Sequence, residues 1–364
     1  MSPQQAGGAA AVDKSENVRL VAQVKFRDGG DIDFDGPRVY AAGYGMRGGV
    51  HVIATGGGRI RPLAHVACPG YQNDVATVRP GLIALGYHSS QCGGVRKGIR
   101  LLDVSNPRRP RVLGSVRQGE FGTHTLTAYP GRPFVYGSPG GNGATPEERS
   151  EYIIDVSNPR RPRVAAKFDP EVAGCHDVAF HIERRRKLAF CAGDTETQIW
   201  DVRDPLHPEV LAHIDNPAIA MHHSVAVTSD GELAVIGDES TRSNCKGAPT
   251  GALFAYDISD LSAPELKGYF AVERGPEEVL GTVATYGCTA HNFNFRPGTS
   301  LMAAAWYVGG MNVIDWSDPA EPVEVAHFHS DRTDYWSAYW HGGRIYANGA
   351  GGLDVFEVRG LGSD

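Results

Sequence analysis

Long apolar runs and a charged leader are both missing from this sequence of 364 residues. Nowhere do 18 apolar residues run together, so we expect no membrane span and no membrane partner. The first residues, MSPQQAGGAAAVDKSENV, have no basic region followed by an apolar stretch, which argues against a secretory signal. We expect residues 1–17 to form a disordered tail and residues 18–364 to form one domain.

Basic surface and paired cysteine motifs are also scarce. The net charge is −7, and beyond the turn sequence NPRRPR we expect no clustered Lys/Arg surface, which argues against a nucleic-acid partner. The simplest interpretation of the cysteines is reduced thiols in a cytoplasmic protein, because they form no CxxC pair, although a pairing of Cys92 with Cys245 is left open. The six cysteines are Cys68, Cys92, Cys175, Cys191, Cys245 and Cys288.

Nucleotide and nucleophile motifs are absent too: the sequence has no P-loop, no G-x-G-x-x-G after a strand and no G-x-S-x-G elbow. What is abundant is glycine and proline, with 46 and 23 residues, while hydrophobic residues make up only 41%. This composition favours many short strands joined by tight turns over a helical protein.

One signature recurs five times: an apolar strand ending in Asp, a turn of the type S-[ND]-P-x-x-P, and a second alternating strand. It reads IRLLDVSNPRRPRVLGSV at 99, EYIIDVSNPRRPRVAAKF at 151, TQIWDVRDPLHPEVLAHI at 197, ALFAYDISDLSAPELKGYF at 252 and MNVIDWSDPAEPVEVAHF at 311. Asp and Ser cap such a turn through backbone hydrogen bonds, and Pro fixes φ, so the signature predicts a β-hairpin.

A second pattern, out of phase with the first, supplies two more strands per unit. Four-stranded units of about 45 to 50 residues indicate propeller blades. The sequence therefore predicts an all-β, seven-bladed β-propeller with antiparallel blades. The last blade lacks its own fourth strand, and the N-terminal strand VRLVAQVKF has the pattern to supply it and close the ring. The blades are predicted to begin at Asp31, Asn73, His124, His176, His223, His291 and Trp336.

The hairpin signature resembles that of the LVIVD-repeat family of β-propeller proteins, over blades along nearly the whole chain. The resemblance implies the fold and carries no particular activity.

The same relative position is histidine in four successive units. His124, His176, His223 and His291 open the segments HTLTAY, HDVAFH, HSVAVT and HNFNFR. Because the first strand of a blade lines the central channel, we expect these four imidazoles to converge on one ion, leaving the other side of the channel open. The alternative is that each histidine is a polar residue bonded to backbone at a blade junction.

Four neutral imidazoles without a carboxylate ligand predict a mononuclear transition metal, Fe(II) or Cu in preference to Zn or Mn. The arrangement is similar to that of carotenoid cleavage oxygenases, which hold Fe(II) with four histidines. It is also similar to the copper-containing selenium-binding and methanethiol oxidase proteins, and to oligogalacturonate lyases, which hold manganese. No linear motif is shared with any of them.

Several residues near the predicted ring are candidates for supporting or catalytic roles. Asp177 follows His176, and Asp238 and Glu239 end a strand near the same face, where a carboxylate can orient a ligand histidine or simply cap a turn. His222 should point away from His223 in an extended strand, and it is a candidate for supporting a ligand histidine or facing the substrate. Three further histidines, His65, His213 and His327, share a position on the outermost strand, and we expect them to lie on the surface.

The predicted mouth of the channel carries long loops (88–98, 138–150 and 238–251) and aromatic side chains. An aromatic, largely uncharged mouth favours a small organic substrate, with O2 as a co-substrate. The leading hypothesis is a metal-dependent oxygenase or oxidative cyclase. The alternatives are a lyase or hydrolase that uses the metal as a Lewis acid, and a non-catalytic interaction scaffold. The aromatic residues are Tyr71, Tyr286, Tyr307, Tyr335 and Trp336, and the last two are candidate catalytic residues.

Overall fold

The computed structural model describes residues 12–56, 59–92, 95–140, 145–171, 174–240, 245, 248–274, 287–331 and 333–361. Within them the chain first forms β1 (Val12–Lys14) and β2 (Val18–Lys25). Blade 1 consists of β3 (Gly29–Phe34), β4 (Arg38–Gly43), β5 (Gly49–Ala54) and β6 (Arg61–Ala67). Blade 2 consists of β7 (Gln72–Arg79), β8 (Leu82–Cys92), β9 (Val95–Asp103) and β10 (Arg111–Arg117).

The middle blades repeat this pattern. Blade 3 consists of β11 (Thr125–Ala128), β12 (Phe134–Ser138), β13 (Glu151–Asp155) and β14 (Arg163–Phe168), with the short helix α1 (Pro146–Arg149) before β13. Blade 4 consists of β15 (Asp177–Ile182), β16 (Lys187–Gly193), β17 (Glu196–Asp201) and β18 (Glu209–Ile214). Blade 5 consists of β19 (His222–Val227), β20 (Leu233–Asp238), β21 (Leu253–Asp257) and β22 (Glu265–Phe270).

The last two blades share one sheet. Blade 6 consists of β23 (Asn292–Phe295), β24 (Leu301–Ala305), β25 (Met311–Asp315) and β26 (Val323–Ser330). Blade 7 consists of β27 (Tyr335–His341), β28 (Arg344–Gly349) and β29 (Gly352–Val358). A short parallel pairing of β23 with β27 joins them into nine strands, whereas the other five sheets have four antiparallel strands each. The all-β, seven-bladed prediction is confirmed, and each blade begins within two residues of its predicted start.

The N-terminal strand closes the ring as predicted. β2 pairs antiparallel with β29, from Val18 opposite Val358 to Lys25 opposite Gly352, and thus provides the outermost strand of blade 7. The predicted disordered tail is wrong in part, because β1 pairs with β26 at the outer edge of blade 6. The open edge of β26 offers unpaired backbone groups that such a strand can satisfy. Residues 1–11 lie outside the described residues.

The hairpin turns behave as their sequence indicates. In blade 2 the Asp103 carboxylate accepts hydrogen bonds from the backbone N–H and the hydroxyl of Ser105, at 3.0 and 2.6 Å. The equivalent Asp accepts a backbone N–H in the four later copies of the signature, at 2.9 Å each. Asp at the strand end therefore fixes the turn and with it the register of the two outer strands.

The hydrophobic core lies between neighbouring blades, with the tryptophans Trp200, Trp306 and Trp316 fully buried. The first strands of all seven blades line a central cavity of about 380 Å³. Side chains bridge these strands near the axis: Thr125 donates to the carbonyl of His176, and Ser224 donates to the carbonyl of His291 at 2.5 Å. Within the described residues, no helix is both long and apolar enough to cross a membrane.

Candidate metal centre

We call the seven equivalent residues at the start of the first strands the axial positions. They hold Gly30, Asn73, His124, His176, His223, His291 and Trp336. The four axial imidazoles form a continuous row. The ring centroids of His124 and His176 are 4.5 Å apart, and those of His176 and His223, and of His223 and His291, are 4.1 Å apart.

The ring nitrogens of this row face one another. Nε2 of His124 lies 2.9 Å from Nε2 of His176. His291 has its Nδ1 2.6 Å from the carbonyl of Trp336, so Nδ1 carries the proton and donates, which leaves Nε2 as a free electron pair. Nε2 of His223 is buried and has no hydrogen-bond partner among the described residues.

Glu239 completes the group from the end of β20. Its Oε2 lies 3.5 Å from Nε2 of His223, and its Oε1 lies 3.6 Å from Nε2 of His291. Ligand atoms of His176, His223 and Glu239 all lie within 4.8 Å of one another. The sequence predicted four imidazoles without a carboxylate ligand, and the structure also places Glu239 among these imidazoles, because β20 ends directly before it.

The donor spacing can be compared with what a metal requires. Two ligands each about 2.1 Å from one ion are about 3.0 Å apart in octahedral geometry and about 3.4 Å apart in tetrahedral geometry. The separations of 2.9, 3.5 and 3.6 Å are close to this range. Imidazole nitrogen and carboxylate oxygen are also the donors that Zn, Fe and Cu accept. The residues present therefore fit a transition metal.

Burial controls the protonation of the group. Burial, and then the charge of neighbouring imidazoles, lowers the pKa of His124 and of His223 well below the ordinary value. The same two causes act on the pKa of His176 and of His291, which are also lowered well below that value. Neutral imidazoles, the form that binds metals, therefore prevail at neutral pH. Burial raises the pKa of Glu239 to about 7, against a hydrogen bond from Tyr307 that lowers it.

A second recurring position surrounds the row, and sequence reasoning did not recognise it as one. This position lies two residues after a small residue of the second strand. The pairs of small residue and recurring position are Gly86 and His88, Ser138 and Gly140, Ala192 and Asp194, Gly237 and Glu239, and Ala305 and Tyr307. We call these five the mouth positions. The spacing from the small residue was the signal available in the sequence.

Four of the mouth positions, His88, Gly140, Glu239 and Tyr307, contact the axial row directly. The ring of His88 packs edge-on against His124, with centroids 5.4 Å apart, and extends the row into blade 2. The Tyr307 hydroxyl donates to Oε1 of Glu239 at 2.7 Å, and its ring packs on His291. A Cβ on Gly140 would lie 2.4 Å from Cγ of His124, so this position needs glycine to make room for the imidazole.

Two other predicted site residues lie where they can act. Trp336 packs on His291, with centroids 4.7 Å apart, and forms the wall of the open side together with Tyr44. Asp177 lines the central cavity beside His176, and burial raises its pKa to about 6. Of the other predicted aromatics, Tyr71 is exposed and Tyr286 lies outside the described residues.

Three other predicted site residues have hydrogen-bond partners outside the axial row. The Asp238 carboxylate accepts hydrogen bonds from the backbone of Ala220, Met221 and Gly251, so it anchors loops. The Tyr335 hydroxyl donates to Asp354 at 2.6 Å inside blade 7. His222 is fully buried and bonds Thr197 at 2.9 Å, away from the channel, because successive side chains of a strand point to opposite sides.

The cysteines also differ from expectation. All six form disulfides: Cys68 with Cys92, Cys175 with Cys191, and Cys245 with Cys288. The prediction of reduced thiols is wrong, and Cys92 does not pair with Cys245. Each disulfide joins a residue that precedes the first strand of a blade to a residue in or after a second strand, so the two cysteines meet only when the strands have paired. The expectation of a cytoplasmic location loses the support that reduced thiols gave it.

Comparisons with known proteins agree with the fold. A model of the LVIVD repeat matches residues 250–272, which span the hairpin of β21 and β22. Among solved structures, the β-propeller domain of Cps50 (Swd1) from Myceliophteria thermophila is similar, with a TM-score of 0.63 at 12% identity. The match covers 93% of this chain and 100% of that one. No protein with a curated description matches the chain. The chain is thus a β-propeller that carries an LVIVD repeat.

Proposed function

We propose that this propeller is a mononuclear transition-metal enzyme, an oxidoreductase that acts on a small organic molecule with O2. The observation that carries the proposal is the cluster of His176, His223 and Glu239, whose ligand atoms lie within 4.8 Å of one another. Two histidines and one carboxylate with open positions are the ligand set of non-haem Fe(II) oxygenases. His124 and His291 would complete or orient this set from either side.

The surroundings of the cluster support an open, catalytic site over a closed, structural one. The ligands come from blades 3 to 6, while the axial positions of blades 1 and 2 hold Gly30 and Asn73, which bring no strong ligand. The central cavity reaches His176, His223 and His291 and has room for a small organic molecule. A bound redox ion would supply electrons for the reduction of O2.

Each neighbouring residue has a definable task in this proposal. The Trp336 carbonyl fixes the orientation and tautomer of His291, and the Tyr307 hydroxyl fixes Oε1 of Glu239. Such outer contacts hold ligands in place before the ion binds. His88 stands at the end of the row, where its depressed pKa, caused by burial and by Lys97, keeps the ring neutral and able to accept a proton.

A hydrolase or lyase is the second candidate, because two histidines and a glutamate also form the ligand set of catalytic zinc. Elemental analysis of the purified protein, joined with oxygen uptake after anaerobic reconstitution with Fe(II), Cu or Zn, separates the two. The oxidoreductase proposal expects bound Fe or Cu and oxygen uptake that stops in His223→Ala. Stoichiometric zinc with no oxygen uptake under any reconstitution would favour the Lewis-acid candidate instead. A protein that binds no metal would be the interaction scaffold.

A further inference from the structure

The central cavity that the axial histidines line also has an acidic wall. Four aspartates line it: Asp31, Asp33, Asp74 and Asp177. Among the described residues that line the cavity, none is Lys or Arg. A low-dielectric channel whose wall carries one sign of charge concentrates ions of the opposite sign.

The aspartates differ in how many hydrogen bonds their carboxylates accept from backbone N–H groups. Asp33 accepts N–H groups from Phe34 and Thr77. Asp74 accepts N–H groups from Val75 and Leu126, at 2.8 and 2.6 Å.

Asp31 has a carboxylate oxygen that can still accept a hydrogen bond or pair with a cation. Its buried Oδ1 has no hydrogen-bond partner in the part of the chain that the structure describes. Burial, and the nearby charge of Asp177, raise the pKa of Asp31 to about 7, in spite of hydrogen bonds from the backbone of Ile32 and from the Tyr339 hydroxyl that lower it. A carboxylate in this situation gains stability from any cation placed beside it.

Aromatic side chains distinguish between kinds of cation. Phe34, Phe293, Trp336 and Tyr339 line the same cavity as the aspartates. A bare metal ion needs only oxygen ligands and gains little from aromatic surface. An organic ammonium ion uses both, because its charge pairs with carboxylates and ring faces while its carbon skeleton covers apolar surface.

The same cavity also reaches the axial histidines. His223 is 1% exposed, lines this cavity, and presents Nε2 without a hydrogen-bond partner among the described residues. A molecule that fills the 380 Å³ cavity therefore contacts the acidic wall and the candidate metal centre together.

We propose that the substrate is a protonated organic amine. Its ammonium group is held by Asp31, with Asp177 adding negative potential, and its carbon skeleton points towards His176 and His223. This inference rests on the proposed function for the location of the reacting end. It names the chemical class that the same cavity selects.

The test measures binding of matched amines and alcohols to the protein as purified. Isothermal titration at pH 7 uses benzylamine, 2-phenylethylamine and tyramine, each beside the alcohol that replaces its amino group by hydroxyl. We expect at least one amine to bind at least tenfold more tightly than its alcohol. Asp31→Asn should remove that preference while leaving the melting temperature and metal content unchanged. Asp13→Asn, on the exposed outer strand β1, is the matched control and should keep it.

Three results would overturn the inference: no amine binds better than its alcohol, Asp31→Asn keeps the preference, or Asp31→Asn loses metal while amine binding persists. The last outcome would make the acidic wall a metal site. A protein that prefers amines but holds no metal would instead overturn the proposed function and leave amine selection standing. Metal content and amine affinity are separate readouts, so the two failures can be told apart.

Discussion

Two sets of histidines, one at the axis and one at the rim, repeat with similar regularity but differ in burial and in the residues that they contact. The rim set is His65, His213 and His327, on the outermost strands of blades 1, 4 and 6. His213 is 55% exposed and pairs with Glu196 at 2.7 Å. His223 at the axis is 1% exposed.

The difference comes from distance to the axis and not from repetition. Equivalent residues of successive blades converge at the hub and diverge at the rim, so the rim histidines do not contact one another. His65 stacks on His51 of the adjacent strand, and His327 bonds Ser15 and Glu324. Axial histidines have each other and Glu239. Repeated residues therefore indicate a shared site only where the fold brings the repeats together.

The largest effect that would sharpen this comparison is expected from the two glutamates. Glu239→Gln removes the carboxylate of the axial cluster and should lower metal affinity at least tenfold, because a neutral amide is a weaker ligand. Glu196→Gln removes the carboxylate that serves rim residue His213 and should leave metal affinity unchanged. Competition with a chelator measures both. Equal affinities in the two variants would break the distinction between axis and rim.

The pH dependence of metal binding provides a second comparison. Glu239 has a raised pKa of about 7 in the metal-free protein, whereas the pKa values of the axial histidines lie well below the ordinary value. As pH falls through 7, Glu239 gains a proton while the imidazoles remain neutral, so affinity should fall about tenfold per pH unit below that point. Chelator competition from pH 8 to pH 6 should show this fall in the native protein and lose it in Glu239→Gln. A flat native profile would contradict the role of Glu239.

A pair of glycines in blade 3 tests the space around His124. Gly140 and Gly131 both have positive φ, 79° and 73°, so Ala costs each a similar backbone strain of about 1 kcal/mol. A Cβ at Gly140 meets the His124 ring, while a Cβ at Gly131 meets nothing within 4 Å. Gly140→Ala should therefore weaken metal binding several-fold and Gly131→Ala should not, as measured by calorimetric titration. The same loss of metal affinity in both variants would contradict a role of His124 in metal binding.

The smallest effect is expected from a disulfide. Cys245–Cys288 links the loop after Glu239 to the segment before His291. Replacing both cysteines by Ser should lower the free energy of unfolding by about 2 to 4 kcal/mol. It should also lower metal affinity two- to threefold, because the segments that carry the ligands are no longer covalently linked. Cys68–Cys92 links blade 1 to the loop of blade 2, away from Glu239, and its double Ser variant should change stability alone. Urea unfolding and chelator competition measure the two quantities.

The fold was almost fully predictable because its information is local and repeated. Each copy of the signature fixes a hairpin through one Asp, as at Asp103, and the alternating strand from Val18 matches the missing fourth strand of the last blade. β1 could not be predicted, since three residues carry too little pattern and the edge that they cover becomes visible only in three dimensions.

The site was predictable in part for the same reason. The axial histidines are recognisable in the sequence because the same residue type repeats at one position. Glu239 is not, because the equivalent positions hold different residue types, such as His88 and Tyr307. Its role depends on where β20 ends, which the sequence does not specify. The disulfides were missed because their partners are 16 to 43 residues apart and meet only through loop geometry.

The central claim is tested most directly by elemental analysis of three proteins purified side by side. They are the native chain, the axial variant with Ala at His124, His176, His223 and His291, and the rim variant with Ala at His65, His213 and His327. The account predicts about one transition-metal ion per chain in the native protein and in the rim variant, and almost none in the folded axial variant. Equal metal in the axial and rim variants would contradict it.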